Sequence, residues 1–289
     1  MFLPMIFKRI WIAATTFGLL ACANVPPYTT PPDSFYTAKL SQLLPADAIL
    51  LGEQHDAPDH QRLQLLAVTT LVTQQTLAAL SLEMTQSGVS TEKLTPEANE
   101  TQVRAALQWN NDAWPWAAYG PAVMAAVRAG VPVFGANIAS TGMRDTMGNT
   151  QLDVLLPATA LKTQQQNIRS GHCDMLPESQ IQPMTRIQIA RDVSMADTLV
   201  RIAQPGKTVL LLAGRGHVDR NLGVAQHLPP GFRVKIVQLG TDHEPEVPQA
   251  IVSFDQTWPA LPAPEVDYCA NFAASRGTPA AVTAPKKLP

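Results

Sequence analysis

The stretch "ILLGEQHDAPDH", residues 49–60, decides the fold, because an apolar run stops at a glycine and ionisable side chains follow at once. The run "DAILLG" (47–52) is short, apolar and bounded by turn-forming residues, as is typical of a buried strand. Glu53 and His55 come next, in a chain with only 15% charged residues and six histidines. The stretch therefore predicts a strand that delivers polar side chains to the edge of a sheet.

Further apolar segments repeat this pattern, with helical periodicity between them. Strands are predicted at 47–52, 76–84, 131–137, 207–214, 232–240 and 249–258. Helices are predicted at 57–74, 97–108, 121–130 and 217–228, with an aromatic loop at 109–121 and Gly130 as a C-cap. Continuous apolar strands that alternate with helices predict an α/β fold: a mainly parallel sheet covered by helices, with a mostly helical insertion at about 141–204.

Polar side chains follow several of these strands. The second strand ends at Glu83, the third runs into Asn137, and the fourth is followed by "AGRGH", which places His217 at the start of a helix. Because the carboxyl ends of parallel strands share one edge of a sheet, we expect Glu53, His55, Glu83 and His217 to converge there.

Two carboxylates and two imidazoles suit either a divalent metal such as Zn, Co or Mn, or an acid–base pair. The alternative is that these residues cap helices and form surface pairs. Other classes are not supported: no G-x-S-x-G elbow occurs, and "GRGHVD" (214–219) lacks the third glycine of a dinucleotide fingerprint. The net charge of −2 and the absence of a basic cluster indicate no nucleic-acid partner.

The N-terminal residues have the features of an export signal. Lys8 and Arg9 precede an apolar run that is too short to span a membrane. The run ends in "LLAC", which resembles a lipobox with Cys22 as the lipidated residue; the alternative is a plain secretory signal. The chain is thus expected to comprise a signal peptide (1–21), a tether (22–35), one α/β domain (36–260) and a C-terminal tail (261–289) that is disordered beyond Phe272.

The remaining cysteines, Cys173 and Cys269, form an even number. In an oxidising compartment such a remainder indicates a disulfide, and the alternative is two separate thiols.

The motifs "GEQHD", "RDVSMA" and "AGRGH", in this order and together with "LEM" and "W…W…YGP", resemble the ChaN-type haem-binding lipoproteins of the Tiki/TraB/erythromycin-esterase-like superfamily. The resemblance covers residues 40 to 240. It implies haem binding and iron uptake by a homodimer that holds paired haems ligated by tyrosine. Other members of the superfamily are metal-dependent proteases or esterases, and Glu53, His55, Glu83 and His217 match their shared core. A metal-dependent hydrolase is therefore the alternative function.

Under the haem hypothesis, Tyr119 is the candidate iron ligand, with Tyr36 as the next choice. Position disfavours Tyr28, which lies in the tether, and Tyr268, which lies beside the possible disulfide. Trp116 is expected to line an apolar slot and Arg191 to lie near the propionates. Further candidates for the slot and the propionates are Trp109, Trp114, Met124 and Arg144. The alternatives are that the aromatic residues form a lid or core, and that Arg191 and Asp192 form an internal ion pair.

The lipobox and the resemblance together predict a lipid-anchored protein of the bacterial cell envelope. The outer membrane, facing the periplasm, is expected, since Ala23 stands where an aspartate commonly signals inner-membrane retention. An outer-membrane haem receptor is a further expected partner.

Overall fold

A six-stranded sheet forms the centre of the structure, a computed structural model that describes residues 30–240 and 253–277. All the strand pairings are parallel, and the strand order is β3-β2-β4-β1-β5-β6. The strands are β1 (Ala48–Glu53), β2 (Leu77–Gln86), β3 (Val133–Asn137), β4 (Thr208–Gly214), β5 (Val234–Gly240) and β6 (Gln256–Pro259). The predicted α/β class with a parallel sheet is confirmed.

Helices cover both faces of the sheet. They are α1 (Asp33–Ser41), α2 (Pro58–Thr73), α3 (Glu100–Ala106), α4 (Trp116–Arg128), α5 (Met143–Gly148), α6 (Ala158–Gly171), α7 (Glu178–Ile202), α8 (Arg215–Val218) and α9 (Tyr268–Gly277). Side chains of β1 alternate between the two faces: Ile49 and Leu51 pack with α1, α2 and α4, while Ala48 and Leu50 pack on the side of α7. Burial on both faces explains why the central strands are apolar throughout. The helical segment predicted at about 141–204 is formed by α5, α6 and α7.

Two predicted elements have different bounds, for local reasons. The aromatic loop is shorter than predicted, because α4 begins at Trp116 and contains Pro121 in its interior. The helix predicted at 217–228 is wrong: α8 ends at Val218, and a 3₁₀ turn follows at 224–227. The side chain of Asp219 accepts the Asn221 N–H at 2.7 Å, which forms a turn in place of a helix.

The C-terminal tail also differs, because α9 continues past Phe272 to Gly277. The signal peptide and the lipidation site Cys22 lie outside the described residues, as do 241–252, where the sixth strand was predicted to start, and 278–289. Within residues 30–240 and 253–277, no helix combines the length and the hydropathy that crossing a membrane requires.

Candidate functional site

The carboxyl ends of β1, β2 and β4 bring together the four side chains predicted to converge. A Cβ built on Gly214 would lie 2.9 Å from Nε2 of His55 and 3.5 Å from Oε2 of Glu83, so the glycine leaves room for both. His217 follows on α8, with its Nε2 3.3 Å from Oε1 of Glu83. The predicted convergence is therefore observed. The strand-end cluster, as we call it, comprises Glu53, His55, Glu83, Asp192 and His217.

Glu53 is 1% exposed, and four donors surround its carboxylate. The Tyr119 hydroxyl donates to Oε1 at 2.8 Å, and Nδ1 of His55 also lies 2.8 Å from Oε1. Gln61 and Gln64, one turn apart on α2, donate to Oε2 at 3.1 and 2.7 Å. Protein donors thus occupy both oxygens of this buried carboxylate, as a carboxylate removed from water requires.

The imidazole of His55 lies on the solvent side of the cluster. Its side chain is 40% exposed and packs edge-on against Trp114 at a centroid distance of 4.8 Å. Burial lowers the pKa of His55, but the hydrogen bond to Glu53 and the charge of Glu83 outweigh burial, so the net shift is upward. The cluster therefore reaches solvent through a histidine that favours its protonated form.

His217 lies between two buried carboxylates. Its Nδ1 is 2.6 Å from Oδ1 of Asp192, and its Nε2 faces Glu83. Burial lowers the pKa of His217, but the two carboxylates outweigh burial and raise this pKa to about 10. Burial likewise opposes ionisation of Glu83, yet the charge of His217 lowers the pKa of Glu83 to about 2. For Asp192 burial dominates, and the pKa rises to about 6.

These contacts do not support the alternative site for Zn, Co or Mn. Nδ1 of His217 already pairs with Asp192 and its Nε2 with Glu83. Each oxygen of Glu53 already accepts two hydrogen bonds, so these atoms have protein partners in place of a metal. Among residues 30–240 and 253–277, no group of three or more His, Cys, Asp or Glu side chains could hold a metal ion. The cluster is instead a buried ion network that joins the ends of three strands and α7.

The residues predicted to line a haem slot are packed in the hydrophobic core. Trp116 is 8% exposed and donates its indole N–H to Glu100 at 3.0 Å. Trp109, Tyr119 and Met124 belong to the same buried cluster, with Trp114 packed against it. These contacts favour the core alternative for the aromatic residues.

Tyr119 is buried beside an acceptor rather than open to a ligand. It is 1% exposed, and burial together with Glu53 raises its pKa. An iron ligand would be a deprotonated phenolate, which this environment opposes. Tyr119 as the haem ligand thus stays a prediction that its surroundings disfavour. The next choice, Tyr36, is also buried and donates its hydroxyl to the Pro259 carbonyl at 2.6 Å.

Arg191 lies half-buried on α7, and its Nε is a buried donor without a hydrogen-bond partner among the described residues. Its sequence neighbour Asp192 directs Oδ1 to His217. The assignment of Arg191 to a propionate stays a prediction, and the cavity described next is lined by a different arginine.

A cavity of about 350 Å³ opens at the same edge of the sheet. Gln54 and Arg215, which follow β1 and β4, line it together with Leu239 of β5. Its outer wall is the segment 261–266 with Tyr268. The cavity lies beyond the carboxyl ends of the neighbouring strands β1 and β5. From β1 the chain continues to β2, towards one edge of the sheet, and from β5 it continues to β6, at the other edge. Ligands of open α/β sheets bind at such switch points. We call this space the end cavity.

Four contacts hold the outer wall of the end cavity in place. The Leu261 N–H donates to Oδ2 of Asp59 at 2.8 Å. Tyr268 is 52% exposed, and its hydroxyl contacts Asp56 and accepts a hydrogen bond from Nε2 of Gln54 at 3.3 Å. The predicted disulfide between Cys173 and Cys269, the neighbour of Tyr268, is present with a Cα–Cα distance of 5.6 Å.

His60 contributes a second ring to the cavity wall. Its Nδ1 accepts the Gln54 N–H at 2.9 Å. Burial lowers the pKa of His60 to about 4, so the imidazole is neutral at pH 7.

An all-parallel α/β domain with helices on both faces belongs to the doubly wound class, and its open cavity lies where sheets of this class bind ligands. The model of the family described as "Haem-binding uptake, Tiki superfamily, ChaN" matches residues 40–228, and the chain belongs to this family. The predicted resemblance is thereby confirmed, and haem is the ligand that the family binds.

Two solved structures are similar to the chain. One, described as "Cofacial heme binding to ChaN of Campylobacter jejuni", has a TM-score of 0.62 and 25% identity, over 72% of this chain and 87% of that one. The other is the type III effector HopBA1, with a TM-score of 0.37 and 12% identity, over 74% and 88% of the two chains. No curated protein matches the chain.

Several residues of the site are missing from the sequence prediction. Gln61 and Gln64 could have been found from their helical spacing just after Glu53. The partnership of Asp192 with His217 had only a weak signal, a charged residue on the inner face of a helix. No sequence signal placed Tyr268 at the site, because its position depends on the path of the C-terminal segment.

Proposed function

We propose that the chain binds haem in the end cavity, with Tyr268 as the iron ligand. The observation that carries this proposal is a half-exposed phenol at a cavity that also contains an arginine and aliphatic side chains. Membership of a haem-binding family supports the choice of ligand.

The residues of the end cavity fit the chemistry of haem. Haem binding needs an axial ligand, an apolar surface for the macrocycle and a donor for the propionates. Leu239, Leu261 and Val266 supply the apolar surface, Arg215 supplies a positive charge, and Tyr268 supplies the oxygen ligand. The volume of about 350 Å³ lies within the roughly 300–1,000 Å³ that is usual for ligand pockets.

The other tyrosines are less suitable. The sequence contains four, and Tyr28 lies outside the described residues. Tyr36 and Tyr119 are buried, with their hydroxyls donating to the Pro259 carbonyl and to Glu53. Ligation by either would require breaking a buried hydrogen bond and leaving its acceptor unpaired.

Tyr268 also bonds to a carboxylate, that of Asp56, but both groups are exposed, so water can replace the phenol as the donor to Asp56. The hydrogen bond to Asp56 raises the pKa of Tyr268, so the free protein holds a neutral phenol at pH 7. Tyr268 would hold ferric iron as the phenolate and would lose this proton to do so, and haem affinity should therefore rise with pH.

The wider role that we propose is haem or iron uptake by a lipid-anchored homodimer at the outer membrane, facing the periplasm. The lipobox at Cys22 supports the anchor. The cavity is open and has the exposed side chains of Leu261 and Val266 in its wall, so a haem held there would remain accessible to a second chain. Cofacial haem binding by the similar ChaN of Campylobacter jejuni supports the same arrangement. An outer-membrane haem receptor is the proposed partner.

The test is a haemin titration of the full-length, tag-free protein. We expect a saturable Soret band of the tyrosinate type that is lost or shifted in Tyr268→Phe, with affinity reduced by about tenfold or more. Tyr119→Phe is the matched control and should keep the band. An unchanged band in Tyr268→Phe would assign the iron to another residue, and an imidazole-type spectrum would point to His60. Absence of saturable binding in the wild type would contradict the haem proposal itself.

A further inference from the structure

We propose that the Cys173–Cys269 disulfide is a redox latch on the haem site: its reduction frees α9 and withdraws Tyr268 from the end cavity. This inference rests on the proposed function, because it concerns the same ligand. It adds a control on haem retention that depends on the thiol–disulfide state of the chain.

The position of Tyr268 depends on a helix with little buried surface. Six of the seven residues from 268 to 274 are exposed, and only Phe272 is half-buried. The Phe272 ring packs against His172 at a centroid distance of 5.6 Å, next to the disulfide. Because α9 buries so little apolar surface, packing attaches it only weakly to the domain. An isolated helix of ten residues is only marginally stable in water.

The other end of the disulfide is firmly fixed. Cys173 lies in the turn between α6 and α7, where the Asp174 N–H donates to the Arg169 carbonyl at 2.9 Å. Arg169 also pairs with Glu178 at the start of α7. The bridge joins this turn to the residue directly after Tyr268, across 96 positions of sequence. It therefore transfers the rigidity of the α6–α7 turn to the iron ligand.

The bond is open to exchange. Cys269 is exposed and Cys173 half-buried, so a thiolate can attack from solvent. The reductant is a dithiol. One of its thiolates attacks a protein sulfur, which breaks the Cys173–Cys269 bond, releases one protein thiolate and forms a mixed disulfide. The second thiolate of the dithiol then attacks the mixed disulfide and releases the other protein thiolate. Two electrons pass from the dithiol to the protein, which leaves two protein thiols and one oxidised dithiol.

The experiment compares haemin binding by two forms of the wild-type chain. One is oxidised; the other is reduced with dithiothreitol, alkylated with iodoacetamide and freed of both reagents before haemin is added. We expect the alkylated form to bind haemin with roughly tenfold or greater loss of affinity, because α9 must then be ordered at the moment of binding. The double variant Cys173→Ser/Cys269→Ser should show the same loss without any alkyl group.

Far-UV circular dichroism at 25 °C checks that both forms keep a folded sheet. If either folded form binds haemin as tightly as the oxidised wild type, with the same tyrosinate band, the latch is wrong. The oxidised Tyr268→Phe variant separates this result from failure of the haem site. If this variant loses the tyrosinate band, Tyr268 remains the assigned ligand whether or not reduction of the disulfide changes the affinity. If it keeps the band, both the ligand assignment and the latch are wrong.

Discussion

Replacing His217 with glutamine should remove a large part of the folding free energy. The imidazolium of His217 is 5% exposed and lies between Glu83 and Asp192. Folding raises its pKa from 6.5 to about 10. At about 1.4 kcal/mol per pKa unit, this shift corresponds to roughly 5 kcal/mol of stabilisation. Breaking a buried ion pair by removing one partner costs about 3–5 kcal/mol, in agreement with that figure.

The assay is guanidinium-induced unfolding between pH 6 and pH 10, with the disulfide intact. Because the pKa of His217 is higher in the folded chain, its stabilisation is complete below about pH 6.5 and declines as the pH approaches 10. The unfolding free energy of the wild type should therefore fall by about 1.4 kcal/mol per pH unit within this window. His217→Gln should lose about 3–5 kcal/mol at pH 6.5 and should show a much weaker decline, namely the part that the raised pKa of His55 contributes.

The matched control is His227→Ala. Burial lowers the pKa of His227, so this histidine adds no loss of stability as the pH rises, and the variant should keep the decline of the wild type. Two results found together would contradict this account of His217. One is an unfolding free energy of the wild type that stays constant from pH 7 to pH 9, and the other is a loss below about 1 kcal/mol in His217→Gln. His217 would then not be a buried cation.

Two further substitutions test the sheet and the cavity wall. Gly135→Ala should cost about 3 kcal/mol in thermal unfolding, because a Cβ there would lie 2.0 Å from the Gln86 carbonyl oxygen. Gly148→Ala has no neighbour within 4 Å and should cost nothing, so equal melting temperatures for these two variants would contradict the packing of β2 on β3. Asp59→Ala, which removes the acceptor of the Leu261 N–H, should weaken haemin binding by roughly three- to tenfold. Arg62 donates hydrogen bonds to both Asp59 and Asp33. Asp33→Ala removes only the second of these contacts and does not touch the wall, so its affinity should match the wild type.

The sheet and the strand-end cluster could be predicted because both follow from local sequence. The runs around Leu50 and Leu211 are apolar at successive positions, as strands buried on two faces must be. Once the strands are known to be parallel, the residues that follow them share an edge. This reasoning alone places Glu53, Glu83 and His217 together.

The remaining features depend on how distant segments meet. Whether Asp192 faces His217 is determined by the way α7 crosses the sheet, which its helical periodicity does not specify. Tyr268 reaches the end cavity only because Asp59 and the disulfide direct the C-terminal segment back over the strand ends. The helix predicted after His217 ends at Val218, because the chain turns at Asp219 and folds back until the Gly223 backbone lies against the His217 carbonyl.

The outer wall of the end cavity is formed by residues that follow β6, and this position sets the order in which the protein matures. A polypeptide grows from its N-terminus, so all six described strands emerge before Leu261 and Tyr268 do. A nascent chain that has reached only residue 260 would already contain all six described strands, but it would lack the outer wall of the end cavity. Under the proposed function, cofactor loading is therefore restricted to chains that have been synthesised beyond Tyr268.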